Sequence, residues 1–129
     1  VIIAESWNWT HSADEGQVTA VTAWDSGEPL VIRVTFDNHG EAVPWEFARE
    51  LLRAAFRNGE AGLGDVNIKT AGDTLHLTLT SPFGQATMRC AASRVAGFLT
   101  RTYAVTEAEA EDLAPGVDAA LDEILGRRG

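Results

Sequence analysis

Residues 30–56 read LVIRVTFDNHGEAVPWEFARELLRAAF, and the spacing of their apolar residues changes along the stretch. From Leu30 to Phe36 the chain alternates. Leu30, Ile32, Val34 and Phe36 point one way and Val31, Arg33 and Thr35 the other, the period of a half-buried strand. Asp37 to Gly40 follows as DNHG, with Asp first and Gly fourth, a type I turn signature. A short second strand then leads into a helix predicted over 44–57. Pro44 suits its first position, and Glu46 suits the positive end of its dipole. Phe47, Leu51 and Ala55 form one row beside Ala48, Leu52 and Phe56, and these six are assigned to the core. Trp45 falls on the border of the stripe, where an indole can pack and keep its N–H available. Val43 offers no side-chain oxygen as an N-cap.

The same order recurs downstream. Leu75, Leu77 and Leu79 alternate with Thr74, His76, Thr78 and Thr80, and SPFG at Ser81 to Gly84 makes a second type I turn. Ala86, Met88 and Cys90 alternate with Gln85, Thr87 and Arg89, and SRVAGFLTRTY continues as a helix with Ser93 as its N-cap. Val66 and Ile68 mark another strand, closed by the hairpin turn at Ala71 to Asp73. Ile3 to Trp9 and Val18 to Trp24 read as strands near the start. Thr106 with Glu109 has capping-box spacing, Pro115 and Gly116 form a stop, and Val117, Leu121, Ile124 and Leu125 line a docking stripe that ends at Gly126. The expected fold is α+β, two repeats of antiparallel strands followed by a helix, plus a C-terminal helix. One domain spans 1–129, with strands in 1–43, a helix at 44–57, strands in 64–92 and helices in 93–126.

With 129 residues, 45% of them hydrophobic, the chain can bury a full core without disulfides or metal. A net charge of −9 opposes polyanions, and so argues against nucleic acid and acidic membranes as partners. The single cysteine, Cys90, and an N-terminal VIIAESWNWT without a basic run lead to the expectation of a reducing cytoplasm. No stretch approaches the roughly 18 apolar residues of a membrane span.

Reactive constellations are not evident. His11, His39 and His76 lack ligand spacing, and Cys90 shares a face with Ala86 and Met88, as a small core residue does. GEAGLGDV at Gly59 to Val66 leads into a strand, whereas phosphate cradles open a helix. No catalytic residue, metal ligand or cofactor site is therefore assigned. The candidate partner-binding residues are Trp45, Glu46, Arg49, Arg53 and Arg57. Arg49, Arg53 and Arg57 are spaced four apart and line a stripe beside Glu46 and Glu50. That stripe is either a recruiting ridge or a solvated face with Glu46–Arg49 and Glu50–Arg53 pairs, and sequence alone favours the solvated face.

WEFARELL at Trp45 to Leu52, GLGDV at Gly62 to Val66, LTSPFG at Leu79 to Gly84, FLTRT at Phe98 to Thr102 and the terminal DAALDEIL together resemble the SsgA-like proteins of sporulating actinobacteria. The resemblance implies a non-enzymatic regulator of sporulation-specific cell division at the septum, with FtsZ and other division or SsgA-like proteins as partners. It also implies a fold similar to the whirly-type single-strand nucleic-acid binders and assembly as a homotrimer. Single-strand nucleic-acid binding is the alternative function. It ranks lower because no strand interleaves aromatic platforms with several basic residues.

Overall fold

The computed structural model describes residues 1–125, with side chains for residues 1–110. Eight strands and two helices follow one another: β1 (Ile2–His11), β2 (Gln17–Asp25), β3 (Val31–Asn38), β4 (Glu41–Ala48), α1 (Arg49–Asn58), β5 (Glu60–Leu63), β6 (Val66–Ala71), β7 (Thr74–Ser81), β8 (Gly84–Ala91) and α2 (Ala92–Leu125). All pairings are antiparallel, in the order β4-β3-β2-β1-β8-β7-β6-β5. The expected α+β order is present: a four-stranded meander and a helix, twice, with β1 and β8 joining the halves into one curled sheet.

Alternation sets the core. Trp7, Trp9, Ala20, Trp24, Ile32, Val34 and Phe36 face inward from the first meander, and Val66, Ile68, Leu75, Leu77, Leu79 and Met88 from the second. Leu52, Ala55, Val95, Phe98 and Leu99 close the layer from the helices. Each fully buried Leu, Ile, Val or Phe contributes about 1.5–3 kcal/mol by leaving water. Trp9 meets Phe36 edge-on at 5.8 Å between ring centroids, and Trp7 meets Phe98 edge-on at 6.3 Å.

The helix expected at 44–57 begins five residues later. Val43, Trp45 and Phe47 are half-buried on one face of β4 while Pro44, Glu46 and Ala48 are exposed on the other, a period of two rather than 3.6. Pro44 is tolerated because of register. The two-residue hairpin pairs Asn38 with Glu41, and the Arg49 amide donates to Leu30 O at 2.8 Å. The odd-numbered residues of β4 therefore bond to β3, and the missing N–H of Pro44 falls on the open sheet edge, where nothing needs it. Of the six residues assigned to the core, Leu52 and Ala55 are buried, Phe47, Leu51 and Phe56 are half-buried, and Ala48 is exposed. Ala48 provides no side-chain cap, and Gly59 at φ 87° ends α1 in the left-handed conformation.

Other boundaries also shift. The DNHG turn is a type I′ hairpin, since His39 and Gly40 both have positive φ, 52° and 89°. A further strand, β5, precedes the 64–92 group. Ser93 does not cap its own helix. The Asp73 carboxylate, from the β6–β7 turn, accepts the Ser93 amide at 3.1 Å, and the Ala92 amide donates to Asp73 O at 2.8 Å. The helices expected over 93–126 are one helix, α2, which runs through Pro115 and Gly116. A proline removes a single amide from the ladder, and the backbone on both sides stays helical. The side chains of the stripe at Val117, Leu121, Ile124 and Leu125, and the Gly126 stop, lie outside the described residues.

Candidate functional site

The five candidate residues do not form one ridge. Trp45 packs inward from β4 opposite Val34. Glu46, on the outer face of β4, accepts from Arg33 Nη2 across the strand pair at 2.8 Å rather than from Arg49. Arg57 is exposed near the end of α1. Arg53 pairs with Glu50 at 3.3 Å, the spacing expected within the helix.

Arg49 departs most from expectation, being only 6% exposed. Its guanidinium carbon lies 3.9 Å from the Tyr103 ring centroid and 5.4 Å from that of Trp24. Nη1 donates to Thr106 Oγ1 at 2.9 Å and reaches Thr102 Oγ1 at 3.4 Å. No carboxylate neutralises it among the described residues. Aromatic faces and hydroxyls contact it instead, which suits the weakly hydrated, planar guanidinium.

Around this buried cation α1 and α2 share a polar surface. The Tyr103 hydroxyl donates to Glu50 Oε1 at 2.7 Å, and Arg53 stands 5.0 Å from the same ring. The Tyr103 hydroxyl, followed by the charges of Arg53, holds the Glu50 carboxyl below its ordinary value. Burial, and then the Glu50 carboxylate, raises Tyr103, so the phenol stays a donor at neutral pH. Tyr103 and Thr106 were missed as site residues. Their signal was faint: hydroxyls at 102 and 106, one turn apart, flank Tyr103 on the α2 face that meets α1.

The remaining reactive groups are accounted for. His76 sits between Lys69 and Arg89 in the sheet register, His11 Nδ1 lies 3.2 Å from Asp14 Oδ1, and exposed His39 forms the type I′ turn. Burial pushes the Cys90 thiol up to about 12, which keeps it protonated and unreactive at neutral pH. No three His, Cys, Asp or Glu side chains gather as a metal site among the described residues. No helix among them is long and apolar enough to cross a membrane.

Residues 18–111 match the family model described as Streptomyces sporulation and cell division protein, SsgA. The chain belongs to the SsgA family. This SsgA-family chain is 38% identical over 120 residues to the sporulation-specific cell division protein SsgB of Salinispora tropica, covering 86% of this chain and 82% of the relative. With SsgB of Streptomyces coelicolor it shares 31% over 113 residues, covering 84% and 82%. Among solved structures, an SsgA-like sporulation-specific cell division protein from Thermobifida fusca superposes with TM-score 0.75 at 30% identity over 95% of both chains. A second, reported under "Mutations in SsgB correlate to longitudinal cell division during sporulation of Streptomyces coelicolor", superposes with TM-score 0.72 at 27% identity over 81% of this chain and 88% of that one. The family is thus one of sporulation-specific cell division proteins, and its resemblance to the SsgA-like motifs in the sequence is borne out.

Proposed function

We propose that this SsgA-family chain is a non-enzymatic regulator of sporulation-specific septation that acts at the division septum by protein–protein contact. It recruits or positions FtsZ and the septum and spore-wall machinery. The observation that carries this is a match to sporulation-specific cell division proteins over most of the chain, with the same fold. The surface adds support. The outer face of the first meander carries exposed Ile2 and Val21 beside Ala4 and Ala23, while the corresponding face of the second carries Thr74, Thr78, Thr80 and Gln85. One half of a duplicated unit thus offers apolar surface to other chains, including further copies in a whirly-like homotrimer, and the other half stays solvated.

The test is a fluorescent fusion imaged beside FtsZ through sporulation, with a deletion strain in parallel. A fusion that never reaches sporulation septa, together with unchanged FtsZ ring placement in the deletion, would sink the proposal. Light scattering that shows a stable monomer would remove the trimer.

Single-strand nucleic-acid binding, the alternative function, has weaker support. Three of the four tryptophans, Trp7, Trp9 and Trp24, are core residues, and Phe83 is the one strongly exposed aromatic ring among the described residues. Stacking platforms require exposed rings in a basic groove.

A further inference from the structure

Inside the sheet, between the two halves, β1 has an open edge. His11 N–H donates to Gly16 O and Ser26 N–H to Val1 O, both at 2.8 Å, so the odd-numbered residues of β1 bond towards β2. The amides and carbonyls of Ile2, Ala4, Ser6 and Asn8 therefore point to the other side, where β8 should lie. But β8 pairs only with Thr10 and His11: Cys90 and Ala91, next in that register, pair with β7 and not with β1, and at Ala92 the chain turns into α2. The result is an edge about 20 Å long, presenting four alternate N–H and C=O pairs with no strand opposite them among the described residues.

This edge borders a depression whose wall includes Cys90, Ala91 and Arg94. Arg94 is exposed, its guanidinium 5.5 Å from the Trp7 ring, and it joins no ion pair among the described residues. The other arginines beside the seam are engaged, Arg89 by Glu15 and Arg101 by Glu5. Arg94 is thus an uncommitted cation on a chain of net charge −9.

We propose that the β1 edge accepts an extended acidic segment of a partner protein as an added strand. The backbone of that segment pairs with Ile2, Ala4, Ser6 and Asn8, and a carboxylate on its inner face meets Arg94. The outer strands of a second copy are poor occupants, and pairing through a second copy's β1 is the outcome that the light-scattering arm below detects. Pro44 interrupts the open amide row of its β4, and its β5 is only four residues long. The inference rests on the recruitment proposed above and names a surface and a partner chemistry for it.

The experiment uses the full chain and two fluorescein-labelled octapeptides, one alternating Thr and Glu, the other Thr and Lys. Fluorescence anisotropy should show the Glu peptide binding at least tenfold more tightly, and hydrogen exchange should slow at the amides of Ile2, Ala4, Ser6 and Asn8. Ser6→Pro removes one open-edge donor without touching the β1–β2 ladder and should weaken binding at least tenfold. Arg94→Glu, at an exposed helical position that leaves folding intact, should reverse the preference between peptides. No protection at the four amides, or unchanged binding by both variants, overturns the proposal. So does light scattering in which Ser6→Pro converts an oligomer to monomers, since a second copy then holds the edge. In cells the two readings separate. A division defect on deletion that a Ser6→Pro allele fully rescues refutes the edge and leaves recruitment standing. No defect on deletion refutes recruitment, while the peptide assay still decides the edge.

Discussion

Replacing Arg49 distinguishes a surface ridge from a buried junction. In the structure its guanidinium lies 3.9 Å from the Tyr103 ring and 5.4 Å from the Trp24 ring, with one good hydrogen bond to Thr106 at 2.9 Å and a marginal one to Thr102 at 3.4 Å. A desolvated cation–π contact is worth about 2 kcal/mol and a hydrogen bond from a charged donor about 1.5–3 kcal/mol. Against them stands the cost of taking a guanidinium from water without a carboxylate, several kcal/mol before relaxation. In Arg49→Ala both sides vanish and the volume of the stem is lost. The hydroxyls left behind are not orphaned, because Thr102 still donates to Leu99 O and Thr106 to Thr102 O. The expected loss is therefore that of a cavity with lost contacts, about 2–4 kcal/mol. Arg49→Glu should cost more than about 4 kcal/mol, since it places an unpaired carboxylate against aromatic faces. Urea unfolding followed by tryptophan fluorescence, with unchanged m-values, measures both. If Arg49→Ala stays within about 0.5 kcal/mol of wild type and Arg49→Glu folds normally, the arginine is a surface residue and the burial argument fails.

Leu52→Ala should cost about 2–5 kcal/mol in the same assay and Leu51→Ala distinctly less, since Leu52 is buried and Leu51 only half-buried; equal losses would match the sequence reading, which places both in the core, and contradict this difference in depth. Asp73→Ala should lose about 0.5–2 kcal/mol by uncapping α2, whereas Ser93→Ala should be nearly silent, and equal effects would contradict the capping assignment. In an NMR titration Tyr103→Phe should move the Glu50 carboxyl up towards its ordinary value, because the largest lowering influence is gone. The sign follows from linkage. A depressed carboxyl stabilises above its unfolded pKa and loses that contribution as pH falls through the folded value, so Tyr103→Phe should flatten the acid limb of stability. An unmoved Glu50 titration would show that the hydroxyl does not hold it.

The duplicated strand and helix order was legible because it is written in local signals: alternation at Leu30 to Phe36 and at Leu75 to Leu79, and Gly-containing turns between them. β4 was misread although its own alternation, Val43, Trp45 and Phe47 against Pro44, Glu46 and Ala48, was present. Pro44 carried the error. At a helix start or on a sheet edge the missing N–H is equally harmless, and which applies depends on register with β3, which no window of β4 contains. The αL residue at His39 was hidden for a similar reason: only the hairpin's twist selects type I′ over type I.

The site was less legible than the fold because its decisive contacts are distant in sequence. Spacing within one helix places Glu50 three residues from Arg53, and the pair forms. Such spacing cannot see Thr102 or Thr106, more than 50 residues from Arg49. The two halves share only two residue pairs between β1 and β8, so the sheet seam is a short join. Beside the shared apolar core, Arg49, Glu50 and Arg53 reaching to Thr102, Tyr103 and Thr106 add a polar join through the helices. At that join the Arg49 contacts are directional, hydroxyl acceptors and aromatic faces at set distances. The arginine stripe therefore divides by depth: Arg49 is buried where α1 meets α2, while Arg53 and Arg57 are exposed.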